Sequence, residues 1–227
     1  MTASLRALGS IVVGVFVMSV IVASVAQARE GVFEWEAGAT ELAGTSDAEE
    51  GIHLFKVTGS LPFTCDNVRW TMKLPSGTAA TELETSTITY NALALGIDHC
   101  KGALGAKHRL TTKGCQLRFH AGKTLKPGET VGTMDFVCPP GEEMTTHGGF
   151  LCTVHIPPQD GLSHVIYRTV EDGEDEKETV AIAIAVSEIR YTHVGLCGRG
   201  GGSDGSYVAD IEVMGRSQLA PKDFRAR

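Results

Sequence analysis

Eight histidines and six cysteines are the side chains best able to carry chemistry in this 227-residue chain. Zinc needs three or four such ligands to converge, and in strand proteins it commonly uses an i, i+2 pair on one face. No two of these histidines stand two positions apart. His99, between Asp98 and Cys100, is the tightest local cluster, but Cys100 is expected to be oxidised and unable to ligate. Nucleophilic hydrolysis needs a serine at a strand-to-helix elbow, spaced Gly-x-Ser-x-Gly. Gly202-Ser203-Asp204-Gly205-Ser206 comes near that pattern without its order or a following helix. The acidic run Glu171–Glu178 lacks the Asp-x-Asp-x-Asp-Gly order of a calcium loop. Gly198-Arg199-Gly200-Gly201-Gly202 lacks the Gly-Lys-Ser/Thr ending that cradles phosphate. No catalytic, cofactor-binding or metal residues are assigned, and no cofactor is expected.

The cysteines instead point to oxidation. All six (Cys65, Cys100, Cys115, Cys138, Cys152 and Cys197) follow an apolar run from Ile11 to Val25 that begins after Arg6. Ala26-Gln27-Ala28 supplies the small-x-small pattern that a signal peptidase reads. A signal helix over 1–28 is therefore expected, with cleavage before Arg29 and export. The alternative is an uncleaved, outward-facing anchor, because the run approaches the roughly 20 residues that span a bilayer. In an exported chain six cysteines read as three disulfides.

The formal net charge is −7, and loss of Arg6 with the signal makes it −8. Clustered Lys and Arg are needed to neutralise a phosphate backbone, and here they are scattered, so nucleic acid is not an expected partner. No second long apolar run follows the signal, so no membrane contact is expected after cleavage.

The elements that would position these residues are strands. Val68, Trp70, Met72 and Leu74 share one parity, and Arg69, Thr71 and Lys73 the other, the period of a half-buried strand. Phe63 and Cys65 have the opposite parity, which predicts a bulge or bend near Asp66-Asn67. Lys113-Gly114 predicts a two-residue hairpin pairing Thr112 with Cys115, Leu110 with Leu117 and His108 with Phe119. Thr179 to Val186 alternates Val/Ile with Ala and reads as a central strand. Tyr207, Ala209, Ile211 and Val213 make a last strand, after a run Gly198–Gly205 that reads as a mobile loop. About ten short strands with regular turn signals predict an all-β fold, an antiparallel two-sheet β-sandwich. The expected organisation is a flexible segment over 29–50, the sandwich over 51–215 and a flexible tail over 216–227.

Six cysteines allow fifteen pairings, and sequence does not choose among them. The expectation adopted is nested: Cys100–Cys115 and Cys138–Cys152 local, with Cys65–Cys197, reached by elimination, around both.

Cys65 in its strand, Tyr90 leading to Cys100, and the run Lys113-Gly114-Cys115-Gln116-Leu117-Arg118-Phe119-His120-Ala121-Gly122 form part of a wider pattern. It continues through Val137-Cys138-Pro139-Pro140-Gly141, Cys152-Thr153-Val154-His155-Ile156-Pro157 and Ile189-Arg190-Tyr191 before Cys197. The pattern resembles uncharacterised exported six-cysteine proteins of high-GC Gram-positive bacteria (actinobacteria), mostly β. This chain is more charged than that group, above all at Glu171–Glu178. The resemblance implies export and a β fold and implies no activity.

The expected function is that of a secreted or cell-envelope binding or structural module without catalysis. Two alternatives stay open: an extracellular hydrolase whose carboxylates or histidines converge only in space, and a small-ligand or lipid binder with a cavity between its sheets.

Overall fold

The computed structural model describes residues 31–46, 53–57, 62–65, 68–90, 100–102, 106–148, 152–172, 177–216 and 224–226. The proposed signal, the bend at Asp66-Asn67 and His99 lie outside them. Among the described residues there are eighteen strands and no helix. The first are β1 (Phe33–Trp35), β2 (Glu41–Ser46), β3 (His53–Lys56), β4 (Phe63–Cys65), β5 (Val68–Lys73) and β6 (Ala79–Ala80). Next come β7 (Glu82–Tyr90), β8 (Cys100–Gly102), β9 (Lys107–Thr111), β10 (Gln116–His120), β11 (Thr124–Lys126) and β12 (Glu129–Val137). The chain ends with β13 (Met144–Gly148), β14 (Cys152–Ile156), β15 (Gln159–Asp172), β16 (Lys177–Gly195), β17 (Gly200–Arg216) and β18 (Phe224–Ala226).

The fold is all-β and antiparallel, as expected, but it is not two separate sheets of about ten strands. Fifteen strands form one hydrogen-bonded network. Its pairings close on themselves twice. One circuit runs β10–β7–β5–β2–β17–β16–β15–β12 and back to β10. The other runs β17–β3–β4–β8–β9–β13–β14–β16 and back to β17. The two share the hairpin β16–β17, whose strands are 19 and 17 residues long. That length is the reason for the double closure. Each strand is long enough to take two partners end to end on its outer edge: β15 then β14 on β16, and β3 then β2 on β17. Closure removes open edges that would otherwise recruit other chains.

The inward face follows the period of two. Val180, Ile182, Ile184 and Val186 are buried, and so are Ile189 and Tyr191. Simple alternation would turn Ile189 outward. A register shift between Val186 and Ile189, with Glu188 at φ 61°, inserts a bulge that keeps both halves of β16 facing one core. That core is continuous through both circuits. Inside are Trp70, Phe119, Phe136 and Tyr167, while Arg69, Lys73 and Asp210 lie outside, exposed. Gly44 stands opposite Trp70, and a Cβ on it would lie 2.1 Å from the indole Cε2. Only glycine leaves room for that ring.

A separate three-stranded sheet, β18–β1–β6, joins residues from both ends of the described chain. Phe33 meets Tyr167 edge-on at 5.0 Å, and the Thr130 hydroxyl donates to the carbonyl of Ala226. Parts of the segments expected to be loose, 29–50 and 216–227, thus form strands.

Three further expectations are corrected. The turn at Lys113-Gly114 forms, with φ of 51° and 80° and the Cys115 N–H donating to Thr112 O at 2.8 Å. Its flanking strands do not pair. β9 joins β8 and β13, and β10 joins β7 and β12. The turn is a corner between circuits, because local turn chemistry leaves the strand partners open. The glycine run is not a loop from Gly200 onward but the start of β17. A Cβ on Gly201 would lie 2.5 Å from Tyr191 O, so the glycines allow close backbone approach.

The disulfides are also not nested. All six cysteines are oxidised, as Cys65–Cys100, Cys115–Cys138 and Cys152–Cys197. Each links strands that are already neighbours. Thr64 pairs with Lys101, Gln116 with Val137, and Cys152 with Gly195 two residues from Cys197. With loops of 35, 23 and 45 residues, each bridge contributes about 3.5–4 kcal/mol on the chain-entropy model.

Candidate functional site

The polar chemistry of the core centres on His53. Alternation in β3 turns it inward with Phe55, and it is fully buried. Its Nδ1 shares a 2.5 Å hydrogen bond with the hydroxyl of Tyr207, and Tyr90 stands edge-on to its ring at 6.0 Å. Nε2 is buried with no hydrogen-bond partner among the described residues. Burial drives the imidazole pKa down to about 3, and the same desolvation raises the hydroxyls of Tyr90 and Tyr207 far above 10.0. At neutral pH the whole cluster is uncharged. Phe55 stacks on Tyr207 at 4.4 Å and on Phe63 at 5.0 Å, and Phe63 stacks on His108 at 4.9 Å. His108 lies between Gly102 and Gly148, where Cβ atoms would come within 2.4 and 2.7 Å of its ring. Its pKa is also lowered by burial. This histidine column is packing, out of reach of a substrate.

On the outer face of the first circuit, Arg118 and His120 of β10 meet three acids. The Arg118 Nε and Nη2 donate to Glu84 Oε2 at 2.8 and 2.6 Å, which raises the guanidinium pKa further. His120 Nε2 lies 2.7 Å from Asp135 Oδ2, and its Nδ1 lies 3.7 Å from Glu82. Asp135 is buried and its Oδ1 accepts from the Gly161 N–H at 2.7 Å. The arrangement resembles a base with its orienting acid. Asp135 holds Nε2, while Nδ1 lies 3.7 Å from Glu82, beyond hydrogen-bond length, on a partly exposed strand face with no described pocket beside it. The outward parity of His120 is legible in the sequence. Asp135 has outward parity too, opposite Met134 and Phe136, but its place beside Arg118 and His120 depends on β12 pairing with β10, which no local signal in the chain names.

The remaining histidines are dispersed. His155 Nδ1 lies 2.5 Å from Glu143 Oε1, His147 bonds Thr153, His164 bonds Ser163, and His193 stacks on Tyr191. Among the described residues no group of three or more His, Cys, Asp and Glu is placed to hold a metal ion.

A cleft of ≈350 Å³ opens where the circuits part, between the end of β7 and β9. Ile88, Tyr90 and Leu110 supply its apolar part, and Thr89, Thr111 and Thr112 its hydroxyls. Arg109 lines it too and is exposed, with no ion pair among the described residues. One cation, several hydroxyls and an apolar wall suit a small amphiphilic anion.

No family model matches this chain, and neither curated proteins nor solved structures show significant similarity to it.

Proposed function

We propose that this is an exported, disulfide-stapled binding module of the extracytoplasmic space, whose ligand is a small anion with an apolar body held in the cleft between β7 and β9. The observation that carries the reading is the lone guanidinium of Arg109 beside three threonines and a half-buried Leu110 and Ile88. Three disulfides support an oxidising compartment. An interior filled by Trp70, Phe119 and Tyr167 speaks against a lipid held within the core.

Hexanoate is a suitable probe. Eight heavy atoms at about 0.4 kcal/mol each give roughly 3 kcal/mol, a Kd of several millimolar. Titration followed by NMR should show saturable shifts confined to β7 and β9, lost in Arg109→Gln and much weaker for hexanol. Equal binding of hexanoate by the variant, or shifts elsewhere, would refute the site. Recovery of the protein from the cytoplasm with free thiols would refute the compartment.

A further inference from the structure

The three disulfides differ in what covers them. Cys65 and Cys100 are 0% and 1% exposed, and in the second bridge Cys115 is 2% exposed while Cys138 is half-buried, so only the third bridge has both cysteines half-buried. Both sulfurs of the third bridge belong to half-buried residues, Cys152 at the start of β14 and Cys197 in the turn between β16 and β17. That turn is the tip of the shared hairpin, closed by the Gly198 N–H donating to Gly195 O, and beside it Leu196 is 75% exposed. The bridge also ends a ladder. β14 and β16 pair from His155↔Thr192 to Cys152↔Gly195 and no further, and β17 opposes the tip with glycines alone, Gly200 to Gly202. Few side chains therefore hold residues 194–200, and the bridge is their one covalent link to a neighbouring strand.

We infer that Cys152–Cys197 is a redox-labile tether, opened by dithiols in the folded protein while the other two bridges stay closed, and that its opening frees the tip of the shared hairpin. A thiolate of the dithiol attacks one sulfur, the S–S bond breaks, and the other cysteine leaves as a thiolate that takes a proton. The second thiol then closes on the mixed disulfide and releases the second cysteine. The protein gains two electrons and two protons, and the dithiol becomes a disulfide. Access decides which bridge reacts, since the attacking thiolate must approach along the S–S axis.

The test is a time course of dithiothreitol reduction at pH 8 without denaturant, with thiols trapped by iodoacetamide and located by peptide mapping. Cys152 and Cys197 should be alkylated together, roughly tenfold or more ahead of the other four. Amide hydrogen exchange of the partly reduced protein should then rise over residues 194–200 and remain unchanged at β5 and β12. Faster or equal labelling of Cys65–Cys100 or Cys115–Cys138 would overturn the assignment, as would simultaneous labelling of all six. Unchanged exchange at 194–200 after selective reduction would show a reactive bridge that tethers nothing. The Cys152→Ser/Cys197→Ser double variant should reproduce the raised exchange in the absence of any reductant.

Discussion

Burial of His53 makes the fold sensitive to acid in a way that can be worked from the structure. Its imidazole pKa falls from 6.5 to about 3 because burial penalises the charged form. As the pH drops below 6.5 the unfolded chain takes up a proton that the folded chain refuses, so stability declines with falling pH until about 3. Between pH 6.5 and 4.5 the loss attributable to this group comes to about 2 kcal/mol, and over the whole window to roughly 5. His108, lowered by the same cause, acts in the same direction. The comparison that isolates His53 is His53→Asn, whose side chain keeps a polar atom near the Tyr207 hydroxyl and does not titrate. Urea unfolding followed by tryptophan fluorescence, at half-unit steps from pH 7.0 to 4.5, gives the stability of each protein. The wild type should lose about 2 kcal/mol more than the variant over that range. Parallel pH profiles, with a difference constant to within about 0.5 kcal/mol, would refute the reasoning, because the proton would then be taken up without cost.

Gly44→Ala places a methyl group against the Trp70 indole, and overpacking of this kind should cost about 1–3 kcal/mol in urea unfolding and red-shift the tryptophan emission. Removing the buried bridge with Cys65→Ser/Cys100→Ser should lower stability by about 4 kcal/mol while leaving the circular dichroism of the strands intact. Asp135→Ala leaves the Gly161 N–H without its acceptor and should cost about 1–3 kcal/mol, whereas Glu84→Gln, at the surface, should cost under about 1 kcal/mol. Equal losses for these two would show that burial of Asp135 does not matter.

Much of the fold can be read along the chain. The inward positions of β5, β14 and β17 follow from alternation alone, and Val68, Trp70, Met72, Val154, Ile156, Ile211 and Val213 are buried as their parity requires. Alternation is a property of two or three consecutive residues, so it survives in one dimension. Where it failed, at Ile189, a bulge intervened, and a bulge takes its meaning from the opposite strand. The glycine run was misread for a related reason: composition suggests a loop, while the partner backbone at Tyr191 makes glycine a requirement of close pairing.

Alternation and turn residues along the chain are thus enough to make the described residues all-β, to give most of the inward positions, and to put six cysteines at or near strand ends. The tertiary structure alone decided which strand lies beside which. From that choice follow the sequential disulfides, the His120–Asp135 contact and the cleft where β7 and β9 part. The physical reason is that a strand offers the same hydrogen-bonding edge to every candidate partner, and only the joint packing of side chains far apart in the chain selects one.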